Sequence, residues 1–226
     1  MVAMSKEILA RGMERGWLLE PEAKELCRLY GLPVAEWRVV KTRDEAQAAG
    51  TALGYPVVMK IVSPDVIHKS DVGGVALNVE EGSLKEVFER MERVAEEKGF
   101  SFEGILLEKM APPGVETIIG AKRDPQFGPV LMFGLGGIFV EVFKDVSFRV
   151  APIERQDAEE MVAELKAYPL LKGVRGRRPS DVGSIVEALL RVSNMVTELE
   201  EIRELDLNPV VAYEKGCRIL DARVIL

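Results

Sequence analysis

Residues 66–75 limit how this chain can fold, because a histidine, a lysine, an aspartate and a Gly-Gly pair would interrupt any buried strand. His68 is the only histidine among the 226 residues. Gly73 and Gly74 permit a sharp turn that brings backbone N–H groups close to an anion. Lys69 adds a point charge suited to phosphate oxygens, and a neutral imidazole can accept a phosphoryl group. The stretch predicts a loop that handles phosphate; the alternative is a polar surface turn with a chance histidine.

The composition narrows the classes of protein to consider. With 47% hydrophobic and 30% charged residues, the chain has an ordinary globular composition. A net charge of −7, with the one basic cluster at residues 175–178 in an expected loop, argues against a nucleic-acid partner. No apolar run reaches the length of about 18 residues that a membrane span needs. Cys27 and Cys217 fit no metal-ligand spacing, which predicts reduced structural thiols in a cytoplasmic protein.

Short apolar strands and charged helices alternate along the chain in two blocks. The first block contains strands near residues 35–40, 55–62 and 75–79, and a helix that starts at Thr42. The second block contains further strands, one of them expected over residues 140–143, followed by two helices and a terminal pair of strands. We therefore expect an α+β protein with two lobes, at residues 1–107 and 108–226, and mainly antiparallel sheets.

Lys60 lies near the end of the short apolar strand expected over residues 55–62. Removing an unpaired charge from water is costly, so a lysine in this position needs an anionic partner. A phosphate oxygen would supply that partner, and the glycine loop that follows supports this interpretation. The alternative is a lysine whose charged end reaches solvent from the end of the strand.

The segment Glu-Leu-Asp-Leu-Asn-Pro at residues 204–209 alternates polar and apolar side chains. In a strand, Asp206 and Asn208 share one face with Glu204. If the chain turns near residue 215, Asp221 falls nearly opposite Asn208, within reach of one ion. Carboxylate and amide oxygens suit Mg²⁺, so the pattern indicates a metal site; the alternative is a solvated sheet face.

Several common catalytic motifs are missing from the sequence. The glycine-rich residues 134–137 lack the Gly-Lys-Ser/Thr ending of a Walker motif. No strand is followed by the glycine pattern and distant acid of a dinucleotide-binding fold. The single histidine has no serine in a nucleophile elbow to activate.

Taken together, the motifs resemble the ATP-grasp domain, or β subunit, of the NDP-forming acyl-CoA synthetases, a family that includes the ADP-forming acetyl-CoA synthetases. The resemblance runs from about residue 20 to the end of the chain. It is carried by segments that follow one another in order: LGYPVVMK (53–60), IHKSDVGGV (67–75), GAKRDPQFG (120–128), FGLGGI with VE (133–138, 140–141), LKGVRG (171–176), ELDLNP (204–209) and LDAR (220–223).

The resemblance implies an ATP-grasp fold with the nucleotide, ATP or ADP, held between two lobes. Lys60 would contact the phosphates, and the loop with Gly73 and Gly74 would cover them. The segment from Glu108 to Met110 would meet the adenine through backbone groups. Glu116 would contact the ribose.

The resemblance also implies catalytic and metal-binding roles. His68 would be a phosphoryl relay, with Lys69 as a nearby charge. Asn208 and Asp221 would hold Mg²⁺, with Asp206 close by. On physical grounds, a carboxylate such as that of Asp71 could fix the tautomer of the relay imidazole.

In such enzymes a partner α subunit binds CoA and the acyl group, and we expect this chain to join it in an α2β2 heterotetramer. The coupled reaction would be acyl-CoA, ADP and phosphate giving acid, CoA and ATP. Two alternatives remain open. One is a different ATP-grasp ligase that joins a carboxylate to an amine and needs no histidine. The other is a non-catalytic regulatory domain that binds nucleotide.

Overall fold

The computed structural model describes residues 2–137, 144–174, 176 and 178–226. The chain forms two compact units. The large unit consists of Met1–Val34 and Pro113–Leu226, and the small unit is Ala35–Pro112. The strand expected over residues 140–143 lies outside the described residues.

The small unit is a four-stranded antiparallel sheet with two helices. Its strands stand in the order β2-β5-β3-β4. Thr42 starts the first helix, since its Oγ1 accepts a hydrogen bond from the Glu45 N–H at 3.2 Å. The elements are β2 (Trp37–Val40), α3 (Arg43–Leu53), β3 (Val57–Val62), β4 (Val75–Val79), α4 (Leu84–Lys98) and β5 (Gly104–Lys109).

The two faces of the small sheet differ in chemistry. Alternate residues of β3, such as Met59 and Ile61, join a core with Phe88 and Met91 of α4. The residues between them, including Lys60, point to the other face of the sheet. All six residues of β3 are buried. The strand therefore places a charged side chain at a buried position outside the helix-covered core.

In the part of the chain that the structure describes, the large unit contains a seven-stranded antiparallel sheet. Its strands stand in the order β1-β11-β9-β6-β7-β8, and β10 pairs with β9 beside β11. The elements before the small unit are α1 (Val2–Gly12), β1 (Trp17–Leu18) and α2 (Glu20–Leu29). Those after it are β6 (Val115–Asp124), β7 (Gly128–Leu135), β8 (Val146–Val150), α5 (Arg155–Ala163), α6 (Val182–Glu198), β9 (Glu204–Ala212), β10 (Cys217–Ile219) and β11 (Ala222–Ile225).

In the large sheet, one face packs on the helices, and the opposite face, called the polar face here, carries polar side chains among apolar ones. Ile119, Phe133 and Leu207 stand side by side in the ladders and join the core with residues of the helices. The intervening residues of β9, including Asp206 and Asn208, face the other way. The alternation anticipated at residues 204–209 is therefore present in the folded strand.

The first 34 residues belong to the large unit, whereas the sequence led us to expect them in an N-terminal lobe of residues 1–107. Trp17 pairs with Ile225 of the last strand, and Ile8 and Leu26 are buried in the large-unit core. The physical reason is that the apolar faces of α1 and α2 pack in the core formed with residues 113–226. Grouping elements by their order along the chain cannot reveal such a partner.

Both cysteines are free and buried. Burial raises the pKa of the Cys27 thiol to about 12, so it stays protonated and unreactive. None of the helices in the described part of the chain has both the length and the apolar character needed to span a bilayer.

Candidate functional site

Lys60 and Glu108 form a buried ion pair in the small unit. The Nζ atom of Lys60 lies 3.0 Å from Oε1 of Glu108, and the two side chains are 7% and 3% exposed. Glu108 lies opposite Val58, two residues from Lys60 on the same face of the sheet. The anionic partner that a phosphate was expected to supply is therefore a carboxylate in this structure. An ammonium has three N–H donors, so the pair is compatible with a further phosphate contact.

The residues expected to meet adenine lie at the end of β5. Glu108 sits within the sheet, between Trp37 of β2 and Val58 of β3. The Met110 N–H donates to the Pro56 carbonyl at 2.9 Å. That N–H is therefore used inside the small unit. The side chain of Glu108 makes a contact that the sequence did not indicate, its ion pair with Lys60.

His68 is exposed on the connection between β3 and β4, residues 63–74, which we call the His68 segment. Asp71 is exposed within a single 3₁₀ turn, Ser70–Val72. Lys69 is half-buried beside the histidine. The three expected catalytic residues, which are near neighbours in the sequence, therefore lie on one short connection on which the histidine is exposed.

The two glycines close the His68 segment. The Gly74 N–H donates to the Lys69 carbonyl at 2.7 Å, and the Gly73 N–H donates to the Ser70 carbonyl at 3.2 Å. Gly73 has a φ of 74°, and a Cβ on Gly74 would lie 3.0 Å from the Lys69 oxygen. These N–H groups were expected to face an anion. In this structure they are used to close the turn, which is why glycine is required there.

Glu116 is exposed on β6 of the large unit, opposite Val211 of β9. Its carbonyl accepts a hydrogen bond from the Gly136 N–H at 2.8 Å. A Cβ on Gly136 would lie 3.1 Å from the Cβ of Glu116. The glycine-rich residues 134–137 therefore pack directly against Glu116, the residue expected to contact a ribose.

The terminal strands bring the expected metal ligands together. Leu207 pairs with Ala222, and Val210 pairs with Ile219, in one continuous register. Asn208 and Asp221 occupy the step next to Leu207 and Ala222, opposite each other, as the sequence predicts. Cross-strand neighbours of this kind have Cβ atoms about 5 Å apart.

Asp206 shares this face but pairs with Arg223 directly across the ladder, with 3.5 Å between Nη2 and Oδ2. Sequence analysis missed this arginine, although its position beside Asp221 in the LDAR segment was visible. Glu204, the fourth polar residue of the pattern, pairs with Lys122 at 2.8 Å. The lysine holds the pKa of the Glu204 carboxyl below its ordinary value.

The oxygen-rich face is suited to a hard cation. Asn208 is exposed, and Asp206 and Asp221 are half-buried, so their oxygens can be approached by an ion. A set of two carboxylates and one amide fits Mg²⁺, which binds through few protein oxygens and keeps several waters. Within the described residues, no three His, Cys, Asp or Glu side chains cluster as a metal site by themselves. A metal site on this face would therefore need an oxygen from another residue type, such as the amide of Asn208.

A cavity of about 550 Å³ adjoins Asp206 on the polar face of the large sheet. Its lining combines Met132 and Phe148 with the charged pair of Lys122 and Glu204. An apolar lining with a few polar groups is typical of small-molecule sites.

The chain belongs to the ATP-grasp domain family, whose model matches residues 9–226. The β subunit of acetate–CoA ligase [ADP-forming] I from Pyrococcus furiosus is 48% identical over 229 residues, covering 100% of this chain and 99% of that protein. Acetate–CoA ligase [ADP-forming] I from Archaeoglobus fulgidus is 47% identical over 227 residues, covering 98% of this chain but 33% of its own length. The resemblance seen in the motifs is confirmed, as is the ATP-grasp fold.

Solved structures of a third relative match closely. It is the dinucleotide forming acetyl-coenzyme A synthetase 1 of Ca. Korarchaeum cryptofilum. A structure with a phosphorylated phosphohistidine segment in a "site I orientation" has a TM-score of 0.91 and 49% identity, and covers 98% of this chain and 99% of that chain. A structure with Mg-AMPPCP, whose phosphohistidine segment points towards the nucleotide binding site, has a TM-score of 0.85 and 50% identity, with the same coverage.

Proposed function

We propose that this chain is the ATP-grasp subunit of an ADP-forming acyl-CoA synthetase, an acid–thiol ligase that acts on acetyl-CoA. The full reaction converts acyl-CoA, ADP and phosphate to acid, CoA and ATP. One observation carries the proposal: the only histidine of the chain is exposed on a closed glycine turn, in a chain that matches ligase β subunits over almost its whole length.

His68 accepts and returns a phosphoryl group. A nitrogen of its neutral imidazole attacks phosphorus, a P–N bond forms, and the bond from phosphorus to the donor breaks. A terminal oxygen of ADP then attacks the same phosphorus, the P–N bond breaks, and ATP leaves. The P–N bond retains a high transfer potential, so both steps are reversible, and the imidazole ends in its starting state.

Charge neutralisation and positioning supply most of the catalysis in phosphoryl transfer. Lys69 neighbours the relay histidine, and Lys60 brings an ammonium that Glu108 holds in place at 3.0 Å. Asp71 keeps the imidazole in one tautomer, as carboxylates do for other catalytic histidines.

Further residues of the chain bind the nucleotide in this proposal. Glu108 and Met110 meet adenine, with Met110 contributing its carbonyl oxygen because its N–H is bonded to Pro56. The ribose is bound by Glu116, and Gly73 and Gly74 shape the loop that covers the phosphates.

Asn208 and Asp221 hold Mg²⁺, with Asp206 beside them. When bound, the ion neutralises charge on the phosphate oxygens. The support is the continuous register that places Asn208 opposite Asp221, together with the oxygen character of the three side chains.

A separate CoA-binding α subunit completes the enzyme, in an α2β2 heterotetramer in the cytoplasm. The support is the Archaeoglobus ligase, of which this chain covers only one third. The remaining two thirds of that polypeptide leave room for a CoA-binding module. The acyl phosphate forms on the α subunit, and its phosphoryl group passes to His68.

The test is to label the complete enzyme with acyl-CoA and radioactive phosphate. We expect an acid-labile, base-stable label on His68, which ADP discharges as ATP. His68→Ala and His68→Asn abolish ATP formation, while the exchange of phosphate with acyl-CoA on the partner continues.

The isolated chain serves as the control, since it should bind ADP yet form no acyl-CoA. ATP formation by His68→Asn at a near-normal rate would show that the phosphoryl group reaches ADP without this histidine. Joining of a carboxylate to an amine without CoA would instead identify a different ATP-grasp ligase.

A further inference from the structure

The His68 segment is fixed at its start by an aspartate that the motifs did not single out. The carboxylate of Asp65 accepts a hydrogen bond from the Ser101 N–H at 2.7 Å. The Asp65 N–H donates to Ser63 Oγ at 3.1 Å. Ser101 lies in the connection between α4 and β5, and Ser63 is buried at the end of β3. The first residues of the segment are therefore tied both to β3 and to a neighbouring connection.

The segment is fixed at its end by backbone hydrogen bonds. Besides the bond from Gly74 to Lys69, the Gly74 carbonyl accepts from the Ile61 N–H at 2.8 Å. Gly74 is buried, whereas His68 is exposed. The segment thus leaves the sheet and returns to it at two defined points, with the histidine at the exposed middle.

The two ends are held by different kinds of contact. The end at Gly74 is held through main-chain atoms, so no substitution of a side chain removes those bonds directly. The start has one main-chain bond of this kind, from the Val66 N–H to the Ser63 carbonyl at 3.5 Å, but its link to the neighbouring connection runs through the side chain of Asp65. Both Ser101 donors, the N–H and the hydroxyl, hold the pKa of the Asp65 carboxyl below its ordinary value, so it remains a charged acceptor through the pH range in which imidazole titrates.

We propose that Asp65 is a positioning residue for phosphoryl transfer through His68, because its bond to Ser101 fixes the start of the segment that carries the imidazole. This inference rests on the proposed function. The Korarchaeum relative has its phosphohistidine segment in a site I orientation in one structure and pointing towards the nucleotide in another. A segment that serves two positions delivers its histidine accurately only if its ends stay fixed while its middle moves.

The expected effect is on the rate of transfer. A misplacement of about 1 Å in a reacting group can reduce the rate about a hundredfold. Asp65 is exposed and acts through the backbone of the segment, so we expect a smaller loss, about tenfold.

The experiment compares Asp65→Ala, Asp65→Asn and wild type in the complete enzyme with its CoA-binding partner. Radioactive phosphate and acyl-CoA label His68, and rapid quenching follows the appearance of the label and its discharge by ADP. We expect Asp65→Ala to slow both steps about tenfold and to leave the KM for ADP within about twofold of wild type. Asp65→Asn keeps an oxygen that can accept the Ser101 N–H, and should transfer within about threefold of wild type.

Asp44→Ala is the matched control, because Asp44 is an exposed aspartate of the same unit whose ion pair to Lys85 is long, at 3.6 Å. It should transfer at the wild-type rate. Exchange of phosphate with acyl-CoA on the partner should be the same in all variants.

Three results would overturn the inference. One is wild-type labelling and discharge by Asp65→Ala; another is a loss confined to the KM for ADP. The third is a loss that matches a fall in the folded fraction measured by circular dichroism. If the wild-type enzyme itself leaves His68 unlabelled, the proposed function fails with it, which separates the two cases.

Discussion

At the scale of single residues, the pair of Lys60 and Glu108 is a buried ion pair of the small unit. Both side chains are almost fully buried, and removing either charge alone would leave the other in a medium that solvates it poorly. A positive group held in this way is already desolvated and oriented before a phosphate arrives. In the proposed function, the Glu108 carboxylate orients the Lys60 ammonium for a phosphate contact, besides the proposed contact of the Glu108 segment with adenine.

We expect Lys60→Ala to lower the free energy of unfolding by about 3–5 kcal/mol, because it strands a buried carboxylate. The double variant Lys60→Met with Glu108→Leu should recover to within about 1–2 kcal/mol of wild type, since apolar side chains of similar size can replace a buried pair. Urea denaturation measures both values. Calorimetry should then show that the stable double variant binds ADP at least about tenfold more weakly.

Urea midpoints for Lys60→Ala equal to wild type would show that the pair contributes no net stability. Unchanged ADP affinity in the double variant would remove Lys60 from the nucleotide site.

The sequence indicated that a buried Lys60 would need an anionic partner, but it left open a lysine that reaches solvent and could not show which partner a buried lysine has. That partner depends on the register of two strands with 41 residues between them, Ser63 to Glu103, and alternation within each strand leaves this register undetermined. The contacts of the two glycines were likewise only partly predictable. Gly73 and Gly74 were correctly interpreted as a sharp turn, yet the acceptors of their N–H groups depend on the path of the whole segment.

At the scale of elements, the pairing of β9 with β10 and β11 was predictable. One turn signal, Glu-Lys-Gly at residues 214–216, fixes the register of everything that follows it. The Tyr213 N–H donates to the Gly216 carbonyl at 3.0 Å, which closes the turn. The position of Asn208 opposite Asp221 follows from that turn. The ion pair of Asp206 with Arg223 was equally accessible from the register and was missed because only oxygen ligands were sought.

We expect Asn208→Ala and Asp221→Ala each to raise the Mg²⁺ concentration for half-maximal activity by about tenfold or more. The fold should persist, because both side chains lie on the polar face of the sheet. Magnesium titrations of ADP-dependent ATP formation by the complete enzyme measure the effect.

Asn194→Ala, at an exposed position of α6, controls for the loss of an asparagine and should titrate like wild type. Titration curves of Asn208→Ala and Asp221→Ala that overlay this control would contradict the proposed metal site.

At the scale of the whole molecule, the division into units follows packing and not chain order. The 34 residues before the small unit complete the sheet and core of the large one. The sequences of α1 and α2 gave no information on which of the two apolar cores receives these helices, since either core could bury an apolar helix face.

We expect Leu26→Ala, in α2, to destabilise the large unit by about 2–5 kcal/mol, as for other fully buried leucines. Native-state hydrogen exchange should show lost protection in β6 and β9, with β3 and β5 unchanged. Phe88→Ala is the counterpart in the small-unit core and should give the opposite pattern. Lost protection in β3 and β5 upon Leu26→Ala would mean that α2 stabilises the small unit.

The pairing of Trp17 with Ile225 has a consequence for synthesis on the ribosome. A chain that grows at about 5–20 residues per second needs roughly 10–40 s to make the last strand after the first one. Until β11 is made, β1 lacks the strand with which it pairs in the folded chain, whereas residues 35–112 of the small unit are synthesised well before β11. β1 therefore stays unpaired while the small unit is synthesised. The apolar side chains of α1 and α2 that the folded core buries are without that core during this time. Exposed apolar surface on a growing chain favours aggregation, which chaperones prevent.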